Sequence, residues 1–211
     1  MPAPLTLHSL PLFPLQVVLF PSGTLALRVF EVRYLDMVRK CQLAGAPFGV
    51  VALQQGQEVR RAGAGPEQFH AVGTLARIVQ AASPQPGLIQ LQAQGSQRFH
   101  ITGHQLLPHG LWVADVALIP ADPLVAIPAD LAGIAQALAQ VLDSLRERDP
   151  NHPLPVPTAA QLQDCGWVAN RWCELLPVPL ALRQQLMALD NPLLRLELVG
   201  DVLEKTGIVG S

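Results

Sequence analysis

Charge is what this sequence has least of: Asp, Glu, Lys and Arg make up 14% of its 211 residues, against 50% hydrophobic. The 14 basic and 16 acidic side chains leave a formal charge of −2. They are scattered in ones and twos, as in Arg39-Lys40, Arg60-Arg61 and Arg146 with Arg148. That balance gives no counterion-release drive toward nucleic acid and no polybasic anchor for a membrane. Cysteine is scarce too. Cys41, Cys165 and Cys173 are odd in number and contain no CxxC pair. Cys165 and Cys173 stand eight apart in a helical segment, too far along the axis to bridge. Reduced, buried thiols are the expectation. No Lys or Arg precedes the apolar residues of Met1 to Leu10, which argues against a signal peptide. The longest apolar stretch, Ala117 to Leu142, is broken by Pro120, Asp122, Pro123, Pro128 and Asp130, so no membrane span is expected. A soluble, cytoplasmic protein follows. With so few charges to cover an apolar chain, its surface is expected to carry a partner-binding patch or to self-associate as a homo-oligomer.

What is present changes character near residue 120. Before it, hydrophobicity alternates with the strand period; after it, with the helical one. Gly87 to Gly95 is the clearest strand, with Ile89, Leu91 and Ala93 on one side and Gln90, Gln92 and Gln94 on the other. Leu7–Leu12, Val17–Leu19 and Leu25–Val29, parted by Pro14 and Pro21-Ser-Gly23, are further strand candidates, as are Phe48–Leu53, His70–Ala81, Arg98–Gly103 and Trp112–Ile119, and Pro84 to Gly87 reads as a hairpin turn. One helix, Glu31 to Leu43, interrupts them, and Gln54 to Gln68 reads as a surface loop. Leu131 to Arg148 is amphipathic, and the prolines of Asp149 to Pro157 end it. A capping box, Thr158 with Gln161, is expected to open the next helix; Leu180–Leu189 and a helix starting at Asn191-Pro192 and stopping at Gly207 complete the set. The fold class is α+β, a β-rich part over residues 1–120 followed by a four-helix part over 121–211.

No catalytic group emerges. Gly200 to Thr206 carries part of a phosphate-loop pattern but lacks its second glycine, is one residue short, and sits in a helical stretch. His100, His104 and His109 do not aim at one point from a strand and loop, and no cysteine or carboxylate joins them, so no metal is expected. Neither Lys40 nor Lys205 has a serine in a strained, Gly-rich setting to activate. No cofactor is implied. A non-enzymatic protein is the expectation.

Leu10-Pro-Leu-Phe-Pro-Leu to Leu19-Phe-Pro21-Ser-Gly23, then Val29-Phe-Glu31-Val-Arg33-Tyr34, opens an ordered set of motifs. Phe48-Gly-Val-Val51, Val72-Gly-Thr74, Leu91 to Phe99, Asn170 to Pro177 and Leu189 to Glu197 follow it. This set resembles the N-terminal domains of Lon proteases, notably the small bacterial proteins made of that domain alone. Val32 stands where the family usually has proline, and Ser22 intervenes between Pro21 and Gly23. The resemblance implies a PUA-like mixed β-barrel followed by a C-terminal helical bundle, and capture of unfolded or client polypeptides, in company with a protease or chaperone. A PUA-type fold also keeps the RNA-binding alternative open. Glu31, Arg33 and Tyr34 form either a recognition corner or a structural pivot, and Arg77 and Arg98 either line a groove or sit on solvated strand faces. Trp112, Trp167 and Trp172 are apolar anchors by residue type, Trp172 more naturally a core one.

Overall fold

The computed structural model describes residues 4–58, 65, 67–149 and 156–207. The chain divides into two compact units, Met1–Ala121 and Asp122–Ser211. The first holds β1 (Thr6–Leu15), β2 (Thr24–Val29), α1 (Val32–Ala44), β3 (Phe48–Gln55), β4 (Gln68–Phe69), β5 (Val72–Gln85), β6 (Leu88–Leu106) and β7 (Trp112–Leu118). All pairings are antiparallel except β1 with β3. β1 pairs with β7 through its first half and with β3 through its second, so the path β1-β7-β6-β5-β3 returns to its start. Pro11 and Pro14 lie inside β1 for that reason. Each half of the strand has one ladder, which tolerates a residue with no N–H. The expectation that Pro14 would break the strand is corrected, and Val17–Leu19, expected as a strand, lies outside any.

Two further strand expectations, Gly87–Gly95 and Arg98–Gly103, fuse into the single 19-residue β6. Gly95 is not a break but a point of close approach: a Cβ there would stand 2.2 Å from the Phe20 carbonyl oxygen. The loop before β2 is bonded to the same place, Ser22 N–H to Gly95 O at 2.9 Å and Gly95 N–H to Gly23 O at 2.8 Å. Ser22 itself adopts φ 62°, the left-handed region that disfavours side chains. β5 and β6 form a long hairpin that turns at Pro86-Gly87, with Gly87 at φ 78°. α1 starts after Glu31, with Val32 at the first helical position that suits proline, and stops at a left-handed Gly45. Its Tyr34, Leu35, Met37, Val38 and Cys41 join Phe13, Phe48, Ile89 and Leu91 in one core; Leu12, Val51, Phe99 and Val116 belong to another.

The second unit holds α2 (Ala132–Arg148), α3 (Cys165–Leu175), α4 (Leu180–Ala188) and α5 (Pro192–Thr206). The capping box forms, with Thr158 N–H to Gln161 Oε1 at 2.9 Å and Gln161 N–H to Thr158 Oγ1 at 3.2 Å. It opens only the 3-10 turn Gln161–Gln163, however, correcting the expected helix start. Asp164 caps α3, accepting from Trp167 N–H at 2.9 Å while its other oxygen accepts from Val125 N–H at 3.1 Å. A short polar side chain nearer the apolar stripe therefore sets the boundary. α5 begins as expected, Asn191 Oδ1 accepting from Leu193 and Leu194, and ends at a left-handed Gly207. Gly200 serves helix packing rather than phosphate: a Cβ there would meet Ile134 Cδ1 at 2.9 Å. Arg195, 1% exposed, ties the unit together. It donates to Asp122 Oδ2 at 2.6 Å, Asn170 Oδ1 at 3.0 Å, Leu186 O at 2.9 Å and Leu189 O. Among the described residues, no helix is long and apolar enough to cross a membrane.

Candidate functional site

β5 pairs with β3 only from Thr74 to Ala76 and continues to Gln85 against β6 alone. β2 pairs with β6 alone. These strands therefore form a three-stranded arm, β2-β6-β5, whose outer backbone edges carry no further strand among the described residues. The alternation read in Gly87–Gly95 holds: Ile89, Leu91 and Ala93 are buried while Gln90, Gln92 and Gln94 are exposed. Across the arm the registers align Thr24 with Gln94 and Gln94 with Arg77. The next outward row is Ala26, Gln92 and Gln80, and the third is Arg28, Gln90 and Ala82. All are exposed. Over the last two rows lies a shallow groove of about 320 Å³, lined by Ala26, Arg28, Ala82 and the glutamines, with the inward-facing Leu27 and Leu91 beneath them.

A second cleft, of about 450 Å³, separates the end of α1 (Cys41 to Ala46) from Arg77 to Ala81 of β5. Val79, 66% exposed, stands at a bulge on the unpaired edge. Bulges of this kind keep bare edges from indiscriminate pairing. The surface offers small methyl groups, aliphatic stems, primary amides and open backbone edges. Amides both donate and accept. Among the described residues, the groove is lined by no carboxylate, histidine, lysine or hydroxyl, and the cleft's thiol, Cys41, is buried and pushed up by desolvation.

The five residues singled out in the sequence separate. Arg33 is buried in a polar network. Its Nη1 donates to Gly110 O at 2.6 Å and to Glu67 Oε1 at 3.3 Å, and its Nε donates to Glu31 Oε2 at 3.2 Å. The other Glu67 oxygen accepts from the Trp112 indole at 3.1 Å. Burial alone would push Glu67 up; its own backbone N–H, Trp112 and Arg33 outweigh that and hold it below the usual carboxylate range. Tyr34 is stacked on Phe13, ring centroids 4.0 Å apart, with the Arg33 guanidinium 4.5 Å over its other flank. Burial pushes its phenol well up, which Arg33 only partly offsets. Glu31, Arg33 and Tyr34 thus meet as one corner. Arg98 is buried elsewhere, beside Thr74 in the β5–β6 ladder. Arg77 is the exposed one of the two, bordering the second cleft.

Glu67 was missed, having no helical or strand period around it to mark it. Arg28, exposed in the third row and lining the groove, is a lone arginine in a strand with no motif around it. Phe30 (54% exposed) and Val32 (72%), just past β2, are the apolar groups that the corner shows to solvent. No three His, Cys, Asp or Glu among the described residues converge to hold a metal. His104 instead packs edge-on to Phe69 and tilts against Trp112.

A comparison with the curated proteins returned no match. The solved structures did. A Lon N-terminal domain protein from Xanthomonas campestris is 31% identical, matching 92% of this chain and 98% of that one with a TM-score of 0.72. The N-terminal domain of Lon protease from the Mycobacterium avium complex is 15% identical over 92% of this chain and 96% of that one, with a TM-score of 0.58, and shares the fold. The family model described as the ATP-dependent protease La (LON) substrate-binding domain matches residues 9–205. This chain belongs to the LON substrate-binding domain family, a family of non-catalytic recognition domains.

Proposed function

We propose that this chain captures client polypeptides by laying extended, apolar segments along the β2-β6-β5 arm. The observation that carries the reading is the arm itself: two edges that carry no further strand among the described residues, and rows of glutamine amides beside a groove. An extended segment adds backbone bonds at an edge and places alternate side chains in the groove, the mode by which sheets commonly bind peptides. Arg77 borders the cleft next to the free edge, while Glu31, Arg33 and Tyr34 hold the corner that presents Phe30 and Val32; Arg98 supports β6 from within. The recurrent path of strand pairings favours a PUA-like barrel for the first unit. A cytoplasmic setting and delivery to a partner protease or chaperone fit this role.

Apolar burial contributes roughly 25 cal/mol per Å² before ordering costs. A disordered peptide that must become extended offsets much of that, so micromolar affinity is expected. Fluorescence anisotropy with a labelled neutral, apolar peptide tests it. Binding that changes little between about 0.05 and about 0.5 M salt is expected, since burial is not screened. Absence of binding, together with tight and steeply salt-dependent binding of RNA, would overturn it in favour of the nucleic-acid module.

A further inference from the structure

The outward face of the β2-β6-β5 arm carries two arginines and no carboxylate. Arg28 stands in the row with Gln90 and Ala82, and Arg77 in the row with Gln94 and Thr24, at opposite corners. Both are exposed, and neither has an ion-pair partner among the described residues. The unit that bears them is basic, with 8 Lys and Arg against 5 Asp and Glu in Met1–Ala121. Asp122–Ser211 holds 6 against 11, so the overall charge of −2 conceals a split of +3 and −5. A basic face left without its own acids favours an occupant that brings them.

We infer that the segments this face selects carry acidic side chains, two of them four residues apart, pairing with Arg28 and Arg77. This rests on the reading of the chain as a polypeptide-recognition domain and narrows its substrate class. The spacing follows from the registers. The arginines are separated by four residues along the strands, about 13 Å, and two strands across, about 10 Å, or about 16 Å diagonally. In an extended peptide, side chains four apart share one side and stand about 13 Å from each other. A segment that leaves an edge and crosses the outward face spans this diagonal, and the flexible arginine arms close the remaining gap. None of the nine outward positions is aromatic, so bases would find no stacking platform, and a polypeptide is favoured over a single-stranded nucleic acid.

The test uses the full chain and fluorescein-labelled twelve-residue peptides of alternating Val and Ser. They carry two Asp, two Asn or two Lys at positions four apart. An exposed ion pair is worth roughly two- to five-fold in affinity, so at low salt the Asp peptide is expected to bind about ten-fold tighter than the Asn peptide, with the Lys peptide weakest. At about 0.5 M salt the screening length shrinks to about 4 Å and the preference is expected to fall within about two-fold. In the Arg28→Gln/Arg77→Gln variant the Asp-to-Asn ratio is expected to approach one. Equal binding of all three peptides by the unaltered chain would overturn the inference and leave the recognition reading standing. Failure of every peptide to bind would overturn both. An acidic preference that persists in the double variant would remove it from these arginines. Self-association that excludes peptide and is lost in the double variant would assign the face to a second copy of the chain instead.

Discussion

Glu174 shows how burial, rather than sequence pattern, decides the behaviour of single residues in this chain. Its Oε1 accepts from Arg171 Nη2 at 2.9 Å, while its Oε2 is buried with no hydrogen-bond partner among the described residues. Desolvation outweighs the attraction of Arg171 and Arg183 and raises the carboxyl from 4.5 to about 7. Between those two values the folded state holds a proton that the unfolded chain has released. The stabilisation is therefore complete below the unfolded value and lost as pH rises through the folded one. At about 1.4 kcal/mol per unit, its size is on the order of 3 kcal/mol. Urea melts are expected to show stability falling from pH 5 to pH 8, and Glu174→Gln is expected to flatten that slope. An identical slope in the variant would place the titration elsewhere. Nothing in the sequence announces this: Glu174 sits in a motif that reads as a helix end, and Arg171 and Arg195 become legible as buried hubs only once three helices are packed. Arg33 is comparable. Its motif was visible, but its partner Glu67 is 34 positions away in the chain.

At the scale of elements, local chemistry was read best where it acts locally. The Asn191-Pro192 start and Gly207 stop of α5, the stripe of α1 and the hairpin turn before β6 all follow from neighbours in sequence. Errors occur where a distant contact prevails. Pro14 reads as a breaker but is accommodated because β1 changes partner along its length. Gly95 reads as a terminator but exists to admit the Phe20 carbonyl. The tandem caps before α3 make a quantitative comparison. Asp164 bonds both the helix and Val125, whereas Thr158 bonds only an exposed turn. Asp164→Ala is expected to cost about 1–2 kcal/mol and Thr158→Ala less than about 0.5 kcal/mol, measured by chemical denaturation. The reverse order would mean that the capping box, and not Asp164, sets the start of α3.

At the scale of the whole molecule, the α+β class and the family were legible because they rest on many weak signals in fixed order. The arm proposed as the recognition surface was not; of the five residues singled out, only Arg77 lies on its outward face. Its glutamine rows were read correctly as an outward strand face, yet a single strand does not reveal which neighbours extend it. Only the registers of β2 and β5 on β6 assemble the face and place Arg28 across from Arg77. The central claim is that a client polypeptide lies along this arm. Hydrogen exchange measured with and without a permanently unfolded protein, such as a reduced and carboxymethylated one, addresses it most directly. Edge amides that pair with a client lose their exchange with water. Slowed exchange in Thr24–Val29 and in Arg77–Gln85, with Cys165–Leu175 unchanged, is the expected result. Protection confined to the helices of the second unit, or none at saturating client, would contradict the account.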